Sequence, residues 1–264
     1  RLDYYSNLPK FEVVPATNPR LAIIVKPYDG GVLKVMGAKA FRSPSVYELH
    51  YSAPFQVPPR RLSPEQIYSG EVELTHRFSQ SVAGTLAAYT NLVEDLVVLN
   101  EIAPGVVQYQ NSPANVLIVG GESEVRREWR QGWMLAATYS YQKAQYTGGG
   151  GLRDVANSLE HLASIRGAMP IIGRTIMGMT RLTIEGPRPD RNENATDPRQ
   201  ERTDAGVVWD LVLSGDVERM GLRYNLGVYN AMDWRYAIIP SGEFRQRQIV
   251  QNGRTFLASV TLSF

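Results

Sequence analysis

Short and long connections alternate along the whole of this 264-residue chain, and few folds tolerate that pattern. Tight turns are expected at Asp29-Gly30-Gly31, Ser79-Gln80, Arg130-Gln131-Gly132, Ile172-Gly173-Arg174 and around Asp216 to Met220. Long polar or Gly/Pro-rich segments separate them, near 6–17, 42–65, 103–114, 147–158, 188–202 and 231–253. The first turn carries the Asp-Gly signal of a type I′ hairpin. The stretches between, 18–28, 32–41, 66–78, 81–100, 115–129, 133–146, 161–171, 175–187, 203–213 and 221–230, read as strands. With the tail they make about twelve, the first cut inside a strand at Arg1.

Each strand has one apolar and one polar face. In the tail, Phe256, Ala258, Val260, Leu262 and Phe264 alternate with Ser259, Thr261 and Ser263, the two-residue period of a strand. Tyr68, Val72 and Leu74 oppose Ser69, Glu71, Glu73 and Thr75; Trp133, Leu135, Ala137, Tyr139 and Tyr141 oppose Thr138, Ser140 and Gln142; Trp209, Leu211 and Leu213 oppose Asp210 and Ser214. Carboxylates are costly in lipid and comfortable in water, so the polar face belongs on a hydrated bore. Tyr28, Phe41, Phe78, Trp129, Trp133, Tyr141, Tyr146 and Phe264 fall near strand ends, where rings suit the headgroup level. Strands of this length, with short turns on one side and long loops on the other, describe a transmembrane antiparallel β-barrel. Its C-terminus would lie on the short-turn, periplasmic side of an outer membrane.

Composition removes other classes. No apolar run approaches the ~18 residues of a membrane-spanning helix. A net charge of +2, with 28 Lys and Arg spread along the chain, gives no nucleic-acid footprint. Cysteine is absent, which removes thiol catalysis, disulfides and Cys-based metal sites. His50, His76 and His161 lack metal-ligand spacing, so neither a metal nor a cofactor is expected. Ser45, Glu48 and His50 are close in sequence but have no hydrolase motif around them, so no catalytic residue is expected and the chain is read as a non-enzyme. Gly148 to Gly151 lacks the Lys and Ser/Thr of a phosphate loop.

Several segments resemble one family. Phe41-Arg42-Ser43-Pro44-Ser45-Val46-Tyr47-Glu48-Leu49 is similar to the aromatic-Arg-x-Pro-Ser-x-x-Glu-Leu segment of TonB-dependent outer-membrane receptors. Leu62-Ser63-Pro64-Glu65 resembles the family's Leu-x-Pro-Glu, and Asn111 with Val119-Gly120-Gly121-Glu122 its Asn…Gly-x-Glu. Tyr229-Asn230-Ala231-Met232-Asp233-Trp234-Arg235-Tyr236 resembles Asn-x-x-Asp-x-x-Tyr, and Gly253-Arg254-Thr255-Phe256 the Gly-Arg that opens the last strand. One departure occurs at Glu160, where the family usually has Pro.

The resemblance implies an all-β fold in which residues 1–264 supply about twelve C-terminal strands of a larger barrel of about 22 strands. It also implies a plug domain and signal peptide with no counterpart here, and energy from a TonB complex acting through that plug. The implied cargo is a scarce large solute such as a ferric siderophore or a cobalamin-like compound. Candidate ligand-facing residues on external loops are Arg42, Tyr47, His50, Tyr51, Trp234, Arg235 and Tyr236, within a wider set that includes Phe55, Arg60, Arg61, Arg153, Arg188, Arg191, Arg199, Arg245 and Arg247. Arginine with aromatics suits an anionic or catecholate-like ligand. Contact with anionic lipopolysaccharide would use the same residues, and lipid is a partner on either reading. Cross-strand ion pairs, or contacts to a plug, are expected from Glu71, Glu73, Glu122, Glu124 and Glu128 with Arg126, Arg166 and Arg181. A smaller passive pore or adhesin barrel is the rival reading.

Overall fold

The computed structural model describes residues 2–3, 16–148, 153–173, 175–190, 202–240, 244 and 246–263. Eleven strands follow one another by antiparallel pairing: β1 (Arg20–Val25), β2 (Gly31–Arg42), β3 (Glu65–Arg77), β4 (Val82–Glu94), β5 (Asn115–Glu128), β6 (Met134–Thr147), β7 (His161–Ile172), β8 (Ile176–Glu185), β9 (Gly206–Val217), β10 (Leu222–Tyr229) and β11 (Thr255–Leu262). A two-residue strand, Arg153–Asp154, adds to β6 and completes a sheet of twelve. Leu2–Asp3 pairs with Ala16–Thr17 outside this sheet. The expected final aromatic, Phe264, lies outside the described residues, as do Arg174, Arg191, Arg199, Arg245 and Gly149 to Gly151.

Register confirms the two faces, because directly opposed residues share a side. One row runs Glu73, Ala87, Glu122, Ser140 across β3 to β6, and a second runs Arg77, Ala83, Arg126, Ala136, Arg166, Arg181, Asp210 across β3 to β9. The apolar face carries Leu86, Val125, Ile165 and Phe256, all more than half exposed. The most buried apolar residues instead include Leu49, Leu62, Val93, Val116 and Ile239, at the long-loop end. A wall this greasy across so many strands has no covering layer of its own, so its stable surroundings are hydrocarbon. No helix among the described residues is long and apolar enough to cross a membrane.

Three local expectations change. At the first turn φ is positive at Gly30 alone, and the Gly31 N–H donates to the Tyr28 C=O at 3.1 Å. A type I′ turn needs positive φ at both central residues, so this hairpin uses a wider loop instead. The strand expected over 81–100 breaks at Asp95, whose φ of 55° is left-handed. Beyond the break, Val97–Ala103 pairs with Val106–Asn111 as a separate hairpin, where a polar loop was expected over 103–114. Finally, the segment 42–65 contains a helix, α1 (Val46–His50). A reciprocal cap starts it: the Glu48 N–H donates to Ser45 Oγ, and the Ser45 N–H donates to the Glu48 carboxylate at 2.6 Å.

Candidate functional site

The long-loop end is organised by carboxylates that gather arginines and backbone N–H groups. Arg42, at the end of β2, donates from Nη2 to Glu65 Oε1 at 2.7 Å and from Nη1 to Glu48 Oε2 at 3.0 Å. Glu65 Oε1 also accepts the Val97 N–H at 2.8 Å. The buried Glu65 carboxylate thus ties β3 to the 97–111 hairpin, and Arg42 extends the link to the α1 segment through Glu48. Asn111 closes the same junction, donating to Ser63 C=O at 3.0 Å and to Asp95 C=O at 2.6 Å, while Ser63 N–H returns a bond to its Oδ1. Burial raises the Glu48 carboxyl, but bonds from Arg42 and Ser45 outweigh it and hold the group below its ordinary range.

Upon this base stand three tyrosines. Tyr47 and Tyr51 stack with ring centroids 4.3 Å apart, and Tyr109 of the 97–111 hairpin meets Tyr47 edge-on at 6.2 Å. Buried Leu49 and Leu62 fix the segment from below, leaving Tyr47, His50, Tyr51 and Phe55 exposed. The arrangement gathers three aromatic rings at the long-loop end, with Tyr47 and Tyr51 exposed.

The connection after β10 is held by Asn230, whose φ is 50°. Its side chain accepts from the Trp234 N–H at 2.9 Å and donates to Trp234 C=O and Asn252 C=O; its own N–H donates to Asp210 Oδ1 at 3.0 Å. Asp233 accepts the Arg254 N–H at 2.8 Å, and Arg254 Nε donates to Ala231 C=O. The turn places Trp234 with its indole N–H on Ala205 C=O, Arg235 in solvent, and the Tyr236 ring against the backbone of Gly206.

Between these regions, Lys143, Asp154, Glu160 and Arg202 form a closed four-charge cluster, with both cations bonded to both carboxylates at 2.6–2.9 Å. Glu160, the departure from the family pattern, is therefore a cation acceptor. Burial raises Asp154 and Glu160. Bonds from Lys143 and Gln145 to Asp154, and from Arg202 and Lys143 to Glu160, bring both below their ordinary values. Asn157 braces the neighbours: its N–H donates to Pro189 C=O, its C=O accepts from Arg188, and its Oδ1 accepts the Ile239 N–H at 3.2 Å.

The polar face carries a wide acidic recess of about 710 Å³ lined by Glu71, Glu73, Glu122 and Glu124 with Tyr89. The expected ion pairs form in part. Arg166 reaches Glu124 at 3.4 Å, Arg126 binds Glu128, Lys34 approaches Glu73 at 3.8 Å, and Arg181 instead holds Asp210 at 2.7 Å. Among the described residues no group of His, Asp and Glu side chains could hold a metal ion.

The candidate residues fall into two sets. Arg42, the last residue of β2, and Tyr47, His50 and Tyr51 in the connection to β3 form one set, whereas Trp234, Arg235 and Tyr236 share the connection between β10 and β11, at the other end of the sheet path. Arg42 is engaged by carboxylates and positions the tyrosines. Tyr109 and Asp210 were not foreseen as partners of these sets; the first sat in a segment read as loop, and the second was read only as a polar-face residue.

Antiparallel strands with one charged and one lipid-compatible face, tight turns at one end and braced loops at the other, define a membrane β-barrel wall. The sequence matches the family described as TonB dependent receptor-like, beta-barrel, over residues 1–231, and the chain belongs to that family. Barrels of this family reside in the outer membrane. A search of curated proteins found no match. Among solved structures, the ferric-catecholate import receptor Fiu from K12 E. coli is similar at a TM-score of 0.68 and 18% identity, covering 94% of this chain and 35% of that one. The siderophore receptor PirA from Acinetobacter baumannii gives 0.71 and 15%, covering 94% and 41%, and the copper transporter OprC gives 0.71 and 18%, covering 93% and 39%. The chain thus spans well under half the length of these neighbours, and identities this low establish the fold alone.

Proposed function

We propose that this chain is the C-terminal barrel portion of an outer-membrane receptor that imports a scarce large solute, a ferric siderophore or a cobalamin-like compound, with TonB-supplied energy. The observation that carries this reading is the family match over residues 1–231. The ferric-catecholate and siderophore receptors among the structural neighbours favour iron-bearing cargo. In this reading the short turns and the C-terminus face the periplasm, and the long loops face outward among lipopolysaccharide. The acidic recess lines the bore, where it would meet a plug domain that couples to TonB.

Ligand contact is assigned to two loop surfaces. Tyr47 and Tyr51, with Tyr109 and His50 beside them, supply ring faces for stacking. Trp234, Arg235 and Tyr236 supply an indole, an exposed guanidinium and a phenol on the second loop. Arg42 acts through Glu48 and Glu65 by fixing α1 beneath the tyrosines.

Growth of a deletion strain on single ferric siderophores or cobalamin as the limiting nutrient tests the uptake role. A defect on one such source, restored by the wild-type gene and weakened by Tyr47→Ala with Tyr51→Ala, supports it; normal growth on all of them removes it.

A further inference from the structure

The apolar face is not uniform. A groove of about 870 Å³ crosses it, lined by Trp129 and Trp133, Leu135, Leu211, Leu213 and Phe256 among others. Its floor is low because glycines interrupt the rows: Leu135, Gly167, Thr180, Leu211, Val228 and Phe256 are directly opposed partners across β6 to β11, and Met169, Gly178, Leu213, Leu226 and Ala258 form the parallel row beside them. A Cβ built at Gly167 would point between Leu135 and Thr180, with its nearest side-chain atoms 3.7–3.9 Å away, so this position leaves the trough open. The one hydroxyl in the first row, on Thr180, accepts the Trp209 indole N–H at 2.8 Å.

That first row ends on a charge. Arg127 on β5 stands directly opposite Leu135, on the lipid-facing side, one residue from the end of its strand. Its neighbours offer no neutralisation, since Glu128 points to the polar face and is bound by Arg126. Arg127 lies over the Trp129 ring at 4.4 Å, and Arg130 follows in the tight turn; among the described residues neither has a carboxylate partner. An arginine on the lipid face is tolerated only near the interface, where it snorkels towards anionic headgroups.

We infer that this groove and its cationic end form a binding site for one anionic glycerophospholipid. An acyl chain lies along the glycine-floored trough, and the phosphate sits on Arg127 and Arg130 beside the Trp129 and Trp133 rings. The charge complementarity of Arg127 and the short-turn position choose phospholipid as the occupant. The inference rests on the membrane orientation proposed above but not on the identity of the cargo.

The test is native mass spectrometry of the protein in neutral detergent, after exposure to equimolar phosphatidylglycerol and phosphatidylcholine. Phosphatidylglycerol should be retained in preference by about tenfold, as expected for two arginines near a phosphate. Arg127→Gln together with Arg130→Gln should erase the preference, and Gly167→Leu, which fills the trough, should reduce retention of both lipids. Equal retention of the two lipids by the wild type, or unchanged phosphatidylglycerol retention in either variant, would overturn the site. No solute or transport enters this readout, so its failure leaves the uptake proposal standing and failure of uptake leaves the lipid site standing.

Discussion

Arg42 and Glu65 are directly opposed on the last rung between β2 and β3, and the guanidinium that binds Glu65 also grips Glu48 at the start of α1. The sheet edge and the tyrosine-bearing loop are therefore joined through one side chain.

Removing either partner should have unequal effects. Arg42→Met leaves the buried Glu65 carboxylate uncompensated and releases Glu48, whereas Glu65→Gln keeps an oxygen for the Val97 N–H and leaves Arg42 on Glu48. Arg42→Met should lower the local opening free energy of residues 43–64 and 97–111 by about 1–3 kcal/mol, less than for a fully buried pair because the Arg42 side chain is 44% exposed. Hydrogen exchange over those peptides checks it, with Glu65→Gln changing protection less than Arg42→Met.

The four-charge cluster predicts an acid response. Asp154 and Glu160 both titrate below their ordinary values of 3.8 and 4.5 in the folded chain. A depressed carboxylate contributes stability above its unfolded value and loses it as pH falls through the folded value. Protection of residues 153–160 and of Arg202 should thus be constant from neutral pH down to the ordinary carboxylate range and fall below it. Asp154→Asn with Glu160→Gln should lower protection at neutral pH and flatten the profile, as read by exchange at matched pH.

Asn230 should resist substitution. It is buried, makes three side-chain hydrogen bonds and holds a left-handed φ. Asn230→Ala loses the bonds and strains the backbone; Asn230→Gly keeps the backbone and loses only the bonds. The alanine variant should cost roughly 2–4 kcal/mol and the glycine variant about 1 kcal/mol less, from the scale of buried hydrogen bonds and left-handed strain. Thermal unfolding in detergent, followed by the fluorescence of the four tryptophans, gives the comparison.

How much of this was legible depended on whether the cause was local. The faces of Glu71, Glu73 and Asp210 followed from a two-residue period that any strand imposes, and the register confirms them. The Asn230 and Asp233 turn was visible as a motif. The capping pair Ser45 and Glu48 was also present three residues apart, a readable start for α1 that the loop reading passed over. By contrast, the 97–111 hairpin depends on Asp95 taking a left-handed φ and on Glu65, thirty-two residues away from Val97, accepting its N–H. The cluster of Lys143, Asp154, Glu160 and Arg202 depends on two long connections meeting in space. Neither carries a periodic signal.

The central claim is that alternate side chains of each strand face water and lipid, and single cysteines along β3 test it directly because the chain has 0 native cysteines to interfere. Cysteine replacing Glu71, Val72, Glu73 or Leu74, one at a time, is exposed in membranes to a charged, water-soluble thiol reagent. The account predicts labelling at 71 and 73 and protection at 72 and 74; uniform labelling, or the opposite alternation, would contradict it.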